Sequence, residues 1–214
     1  MIMRTMLVSA AVAATMATSA IADISASTGW EDTSADALLG VYGNVYDYGY
    51  ETADPFSGSS SLFMVEDPVN GTPQGFCAWI TGLSAGDTVT ATMWMKGASN
   101  GVDNDGKGRL WGHYTTNDDI TTYEGSASGS GDYAGAGGVW TQAEHTWTIE
   151  EGQTALVIEA RMYSYGANNL LLGDDLMVST NNDGASITLA GMIPAPGALA
   201  LLGLAGLAGR RRRA

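Results

Sequence analysis

Between Thr88 and Lys96 the chain reads Thr-Val-Thr-Ala-Thr-Met-Trp-Met-Lys, apolar and polar residues alternating one for one. That period fits an extended strand with one face on a core and the other toward solvent. Val89, Ala91, Met93 and Met95 take one side; the threonines, Trp94 and Lys96 take the other. Ala155–Tyr163 repeats the pattern, with Leu156, Ile158, Ala160 and Met162 inward and Glu159, Arg161 and Tyr163 outward. Weaker alternation predicts strands near 41–50, 61–66, 75–81, 109–115, 141–149, 170–178 and 186–190. Turn-rich segments separate them: Asp67–Gly75 with its Asn70-Gly71 pair, Gly82–Asp87, Gly97–Gly108 and Gly125–Gly138. No segment carries a helical period, so the expected fold class is all-β, an antiparallel β-sandwich. Its span is predicted as 23–178, with 179–192 a linker and candidate last strand.

The two ends follow other rules. Met1–Thr5 carries the positive Arg4, an uncharged run extends from Met6 to Ala17, and Ala20-Ile21-Ala22 places small residues where a signal peptidase needs them. Residues 1–22 therefore read as a signal helix cleaved after Ala22. At the other end Pro194-Ala195-Pro196 precedes thirteen apolar residues and the cluster Arg210, Arg211, Arg212 and Arg213. Thirteen residues reach about 20 Å as a helix, short of a hydrocarbon core of about 30 Å, and the arginines favour the cytoplasmic side. Proline, short apolar helix and arginine cluster in that order resemble the PEP-CTERM sorting tail, which is also known as the C-terminal domain of ice-binding proteins. The resemblance covers residues 193–214, with Ala195 where the family carries glutamate. It implies a chain tethered in the inner membrane, then released by an exosortase-type enzyme to the cell surface or the extracellular space. A plain C-terminal anchor is the alternative.

With the ends set aside, the charge changes character. Of nine basic residues only Lys96, Lys107, Arg109 and Arg161 lie between the signals, against all 23 acidic ones, a formal balance of −19. Nucleic acid, which needs a basic footprint, is excluded as a partner; a soluble surface protein or a cation binder is not. Cys77 is the single cysteine, so no internal disulfide can form. Phe76, Ala78 and Trp79 around it predict a buried thiol that packs as a small apolar residue.

Once the strands are placed, Gly29-Trp30-Glu31, Gly58-Ser59-Ser60-Ser61-Leu62, Ile80–Thr88 leading into the Trp94 strand, Trp140, and Gly173-Asp174-Asp175-Leu176 follow in an order that resembles the galactose-binding-like jelly roll. Many extracellular carbohydrate-binding modules use that fold, so the resemblance implies a jelly-roll sandwich and a non-catalytic, carbohydrate-binding role. Structural domains without a sugar site share it too.

Enzyme signatures are missing: the chain has no nucleophile elbow, paired-histidine motif or phosphate loop, and Gly129–Ala134 mimics a dinucleotide fingerprint inside a Gly/Ser loop. A glycosidase-like carboxylate pair is the remaining catalytic alternative, and no pair stands out. Trp94, Lys96, Trp111, His113, Arg161 and Tyr163 all fall on polar strand faces, where rings stack on sugars and cations bond hydroxyls. If their strands share a sheet, they form a sugar-binding face with Trp94 near Arg161 or Tyr163; otherwise the tryptophans pack beneath loops. Tyr42, Tyr46, Tyr48 and Tyr50 share a parity and either extend that face or fill a half-polar core. Asp103-Asn104-Asp105-Gly106 resembles part of a calcium loop, although position twelve from Gly101 is Gly112 and not glutamate. Asp174 and Asp175 are further candidate ligands for a structural calcium. The two functions carried forward are a module binding extracellular-matrix polysaccharide and a structural surface protein.

Overall fold

The computed structural model describes residues 23–67, 72–97, 106–163 and 169–192. Residues 1–22 and 193–214, expected as a signal segment and a sorting tail, and Asp103 and Asp105 lie outside them. Twelve strands form, β1 (Ile24–Thr28), β2 (Gly40–Tyr42), β3 (Val45–Glu51), β4 (Ser61–Glu66), β5 (Gln74–Thr81), β6 (Thr88–Gly97), β7 (Lys107–Thr115), β8 (Gly125–Gly129), β9 (Thr141–Thr148), β10 (Ala155–Tyr163), β11 (Asn169–Thr180) and β12 (Ser186–Leu189), with one 3₁₀ turn at Ala136–Gly138. Among the described residues no helix is long and apolar enough to cross a membrane.

The strands make two antiparallel sheets that face each other as a jelly-roll sandwich. The first runs β3-β4-β11-β6-β9, with β1 also on β11; the second runs β12-β5-β10-β7-β8, with β2 also on β5. Two long strands carry two partners on one edge. β11 pairs with β4 up to Gly173 and with β1 from Leu176, while β5 pairs with β2 over Gln74–Phe76 and with β12 over Ala78–Thr81.

The core lies where the alternation puts it. Val89, Ala91, Met93 and Met95 on β6 and Leu156, Ile158, Ala160 and Met162 on β10 are all at most 1 % exposed. The larger ones, Val89, Met93, Met95, Leu156, Ile158 and Met162, each contribute about 1.5–3 kcal/mol by leaving water. Leu62, Met64, Leu110, Trp147, Leu176 and Val178 join the same cluster. Gly112 on β7 makes room for it, since a Cβ there would sit 2.8 Å from Trp147 Nε1. Cys77 is fully buried, and burial pushes its thiol up to about 12; it packs as an apolar residue.

Several expectations need correction. The strand predicted near 41–50 is two strands in different sheets, because Gly43 adopts φ +80 between them, a conformation glycine takes without strain. Gly125–Gly129, read as turn, is the edge strand β8: backbone pairing to β7 needs no large side chain. β1 was not foreseen. Of 179–192, expected as linker and candidate last strand, β12 falls in the strand expected near 186–190 and pairs with β5, while β11 continues to Thr180 and Ala190 and Gly191 donate backbone hydrogen bonds to Cys77 and Asp36.

Candidate functional site

Consider the outward face of the second sheet. On β10 the outward residues are Val157, Glu159, Arg161 and Tyr163, and the register sets His113, Trp111, Arg109 and Lys107 of β7 opposite them in turn. On the other side β5 slips by one residue: Ile158 pairs with Ala78, but Glu159 pairs with Phe76. Cys77 is thus the extra residue of a β-bulge, and both it and Ala78 are buried in the core. Because a one-residue shift exchanges the faces of a strand, Phe76 and Gln74 turn outward beside Glu159 and Arg161. Tyr42 of β2 joins them opposite Gln74.

These residues form a connected polar floor. Glu159 is fully buried; its carboxylate meets His113 Nδ1 on one oxygen and accepts from Arg161 Nε at 2.9 Å on the other. With its amide oriented to satisfy both ends, Gln74 donates to Glu159 at 3.0 Å and accepts from Arg161 Nη2 at 3.0 Å. A buried carboxylate is stable only with such partners. Above the floor opens a cleft of about 400 Å³ lined by Tyr42, Gln74, Phe76, His113, Thr121, Tyr123 and Arg161. Tyr42 and Tyr123 stand at its rim, 66 % and 67 % exposed. Inside, the His113 ring lies 5.0 Å from Phe76 and 5.8 Å from Tyr123. Alongside, Trp111 is held between two guanidiniums, Arg161 at 4.3 Å and Arg109 at 4.5 Å from its ring centre, and it donates from Nε1 to Ser126 Oγ at 3.1 Å.

Of the six residues expected to share a sugar-binding face, Trp111, His113, Arg161 and Tyr163 lie on this one. Trp94 and Lys96 do not, and Trp94 is not beside Arg161 or Tyr163. They sit on β6 in the first sheet, whose outward face points the opposite way. Alternation assigns a side of a strand; it carries no information on which sheet the strand joins. Trp94 is half-buried and stacks on Phe56, centroids 4.1 Å apart and planes at 14°, with Trp140 5.7 Å from Phe56. Lys96 pairs with Asp54. The tyrosines divide likewise: Tyr42 borders the cleft, whereas Tyr46, Tyr48 and Tyr50 belong to β3, and Tyr50 donates to Ala35 O at 2.7 Å. Tyr123, Tyr133 and Thr121 come from irregular segments and leave no periodic signal. Arg109 shares the parity of Trp111 and His113, which was its available signal.

The segment carrying Phe56 is pinned by carboxylates. Asp174, fully buried, accepts from the Phe56 and Ser57 N–H groups at 2.9 and 3.0 Å through Oδ2 and from Asp175 N–H at 2.7 Å through Oδ1. Burial holds its carboxyl above the usual range, against the pull of those N–H donors. Asp175, at φ 46, accepts from Ser57 Oγ at 2.9 Å. Glu31 accepts from Ser59 N and Oγ, which lower its pKa. Gly58 takes φ +62, a left-handed conformation that favours glycine, and a Cβ there would displace the Glu31 carboxylate, 1.9 Å away. The motifs Gly29–Glu31, Gly58–Leu62 and Gly173–Leu176 therefore meet at one rim. A calcium ion wants six to eight oxygens. Asp174 and Asp175 already serve N–H and hydroxyl donors, and no group of three or more Asp, Glu, His or Cys side chains among the described residues is placed to hold a metal.

No family model and no curated protein matches the chain. Solved structures do. The CBM22-1 xylan-binding domain of Paenibacillus barcinonensis Xyn10C is 14 % identical, aligned over 74 % of this chain and 95 % of that one, with a TM-score of 0.47. The C-terminal family 22 carbohydrate-binding module of Clostridium thermocellum Xyn10B is 12 % identical over 79 % and 94 %, TM-score 0.49. TmCBM61, solved with β-1,4-galactotriose, is 15 % identical over 71 % and 93 %, TM-score 0.44. All three lie below 25 % identity and below a TM-score of 0.5, and nothing of what they bind is carried to this chain.

Proposed function

We propose that this protein binds a polysaccharide, without catalysis, in the cleft on the outward face of the second sheet. The observation that carries the reading is the pairing of two exposed rim tyrosines, Tyr42 and Tyr123, with a floor of His113, Gln74 and Arg161 locked by buried Glu159. Aromatic faces cover the apolar face of a pyranose ring, and a rigid set of donors and acceptors below orients its hydroxyls. The floor groups are held by one another before any ligand arrives, so little order is lost on binding. The signal segment and the PEP-CTERM-like tail support a chain that is exported, processed and displayed at the surface, where such polysaccharide is met.

The test uses the full-length chain in affinity gels that contain soluble polysaccharides, comparing wild type with Tyr42→Ala and Tyr123→Ala. Both side chains are two-thirds exposed, so either change is expected to leave the melting temperature within about 2 °C, as for surface substitutions worth under about 0.5 kcal/mol. Loss of retardation in both variants supports the cleft. Wild-type protein that no polysaccharide retards leaves the structural surface protein as the reading.

A further inference from the structure

We propose, resting on that reading, that the glycan is anionic, and that Arg109 beside the cleft receives a carboxylate or sulfate carried by the sugar chain. Arg109 and Arg161 are direct cross-strand partners on one face, and like charges placed opposite each other destabilise a sheet. A single carboxylate, Glu159, lies between these strands on that face, and it is engaged by Arg161, His113 and Gln74. Among the described residues Arg109 has no carboxylate within ion-pair distance, whereas Glu159 pairs with both Arg161 and His113.

Rings surround the Arg109 guanidinium instead. Its carbon lies 4.5 Å from the centre of Trp111, 4.9 Å from Tyr163 and 5.2 Å from Tyr133. Two of its five N–H donors have partners: Nε gives to Tyr163 Oη at 3.0 Å and Nη1 to Ser130 O at 3.5 Å. An aromatic cage that fixes a planar fork and leaves donors available suits bidentate recognition of carboxylate or sulfate. Charge distribution points the same way. Of the four basic residues between the signals, Lys107, Arg109 and Arg161 share this face, in a stretch with 23 acidic residues. The repulsion of that acidic surface for a polyanion is screened beyond about 8 Å at physiological ionic strength, so contact at the cationic face decides binding there.

The experiment is calorimetric titration of the full-length chain, at physiological ionic strength, with three oligosaccharide probes: an oligogalacturonate, a sulfated dextran oligomer and a neutral xylo-oligosaccharide. Wild type is expected to bind one of the anionic probes at least about tenfold more tightly than the neutral one, and which of the two it prefers identifies the group as carboxylate or sulfate. Arg109→Gln is expected to reduce that preference about tenfold, and Arg109→Lys, which keeps the charge but not the fork, to reduce it less. If Arg109→Gln fails to fold, the wild-type preference decides alone. Equal affinity for all three probes, or a preference that Arg109→Gln does not change, overturns the anionic inference and leaves the glycan cleft standing. Binding to no probe overturns the anionic inference, and retardation of the wild type in polysaccharide gels then decides whether the cleft binds a glycan.

Discussion

Glu159→Ala is the change that most directly tests the floor of the cleft. Glu159 is fully buried and meets His113, Arg161 and Gln74, so truncation strands a guanidinium, an amide and an imidazole at once. Breaking a buried ion pair by removing one partner costs about 3–5 kcal/mol, much of it the uncompensated charge. Arg161 keeps 17 % of its side-chain exposure, and water entering through the cleft offsets part of the loss, which places the expectation near about 3 kcal/mol. In a domain of this size class that lowers the melting temperature by about 6–12 °C. Glu159→Gln keeps the shape and one acceptor and should cost less, while Glu159→Leu combined with Arg161→Leu removes both charges and should recover most of the stability. Urea denaturation and thermal melts of these variants, with Glu159→Leu and Arg161→Leu measured singly, supply the cycle. A loss below about 1 kcal/mol for Glu159→Ala, or a double variant no more stable than Glu159→Leu alone, would refute the view that a buried charge organises this face.

Trp94→Ala removes a half-buried ring stacked on Phe56; it should cost about 1–2 kcal/mol rather than the 3–5 of a core aromatic and leave polysaccharide retention unchanged, and lost retention would return Trp94 to the binding site. Asp174→Ala leaves the Phe56 and Ser57 N–H groups without their acceptor; a loss of about 2–4 kcal/mol, with a red shift of tryptophan fluorescence as Phe56 leaves Trp94, is expected, and an unaltered spectrum contradicts it. Burial raises the Asp174 pKa, so its protonated form favours the fold: that contribution is full below the unfolded value and is lost as pH rises through the folded one. Melting temperatures of wild type should accordingly fall relative to Asp174→Asn as pH rises above the ordinary carboxylate range, and a constant difference rejects the assignment. If the aspartates expected as calcium ligands, Asp103, Asp105, Asp174 and Asp175, hold an ion, chelator should lower the melting temperature and excess calcium restore it, and an unchanged melt would leave them as solvated turn residues. Intact mass of protein from its native host should begin at Asp23 and lack Arg210–Arg213, and retained arginines would favour a plain anchor.

Strand β6 shows how far alternation alone reaches. With a side-chain period of two, Val89, Ala91, Met93 and Met95 must share a face, and a chain rich in such runs and without a helical period has to form sheets. The sandwich, its core on β6 and β10, and the buried Cys77 were therefore legible from residue order. The site was legible only in part, because parity states the side of a strand and nothing about its sheet. Trp94 and Trp111 carry the same local signal and face opposite ways, since β6 pairs with β11 and β9 while β7 pairs with β10 and β8. The bulge at Cys77 is also invisible locally: it turns Gln74 and Phe76 outward only because β5 must match β10 on both sides of it. Tyr42 and Tyr123 reach the cleft through a chain reversal at Gly43 and an irregular segment. Nearest-neighbour chemistry determines an element and its faces, whereas a binding surface assembled from β2, β5, β7 and β10 exists only after long-range pairing has chosen which faces coincide.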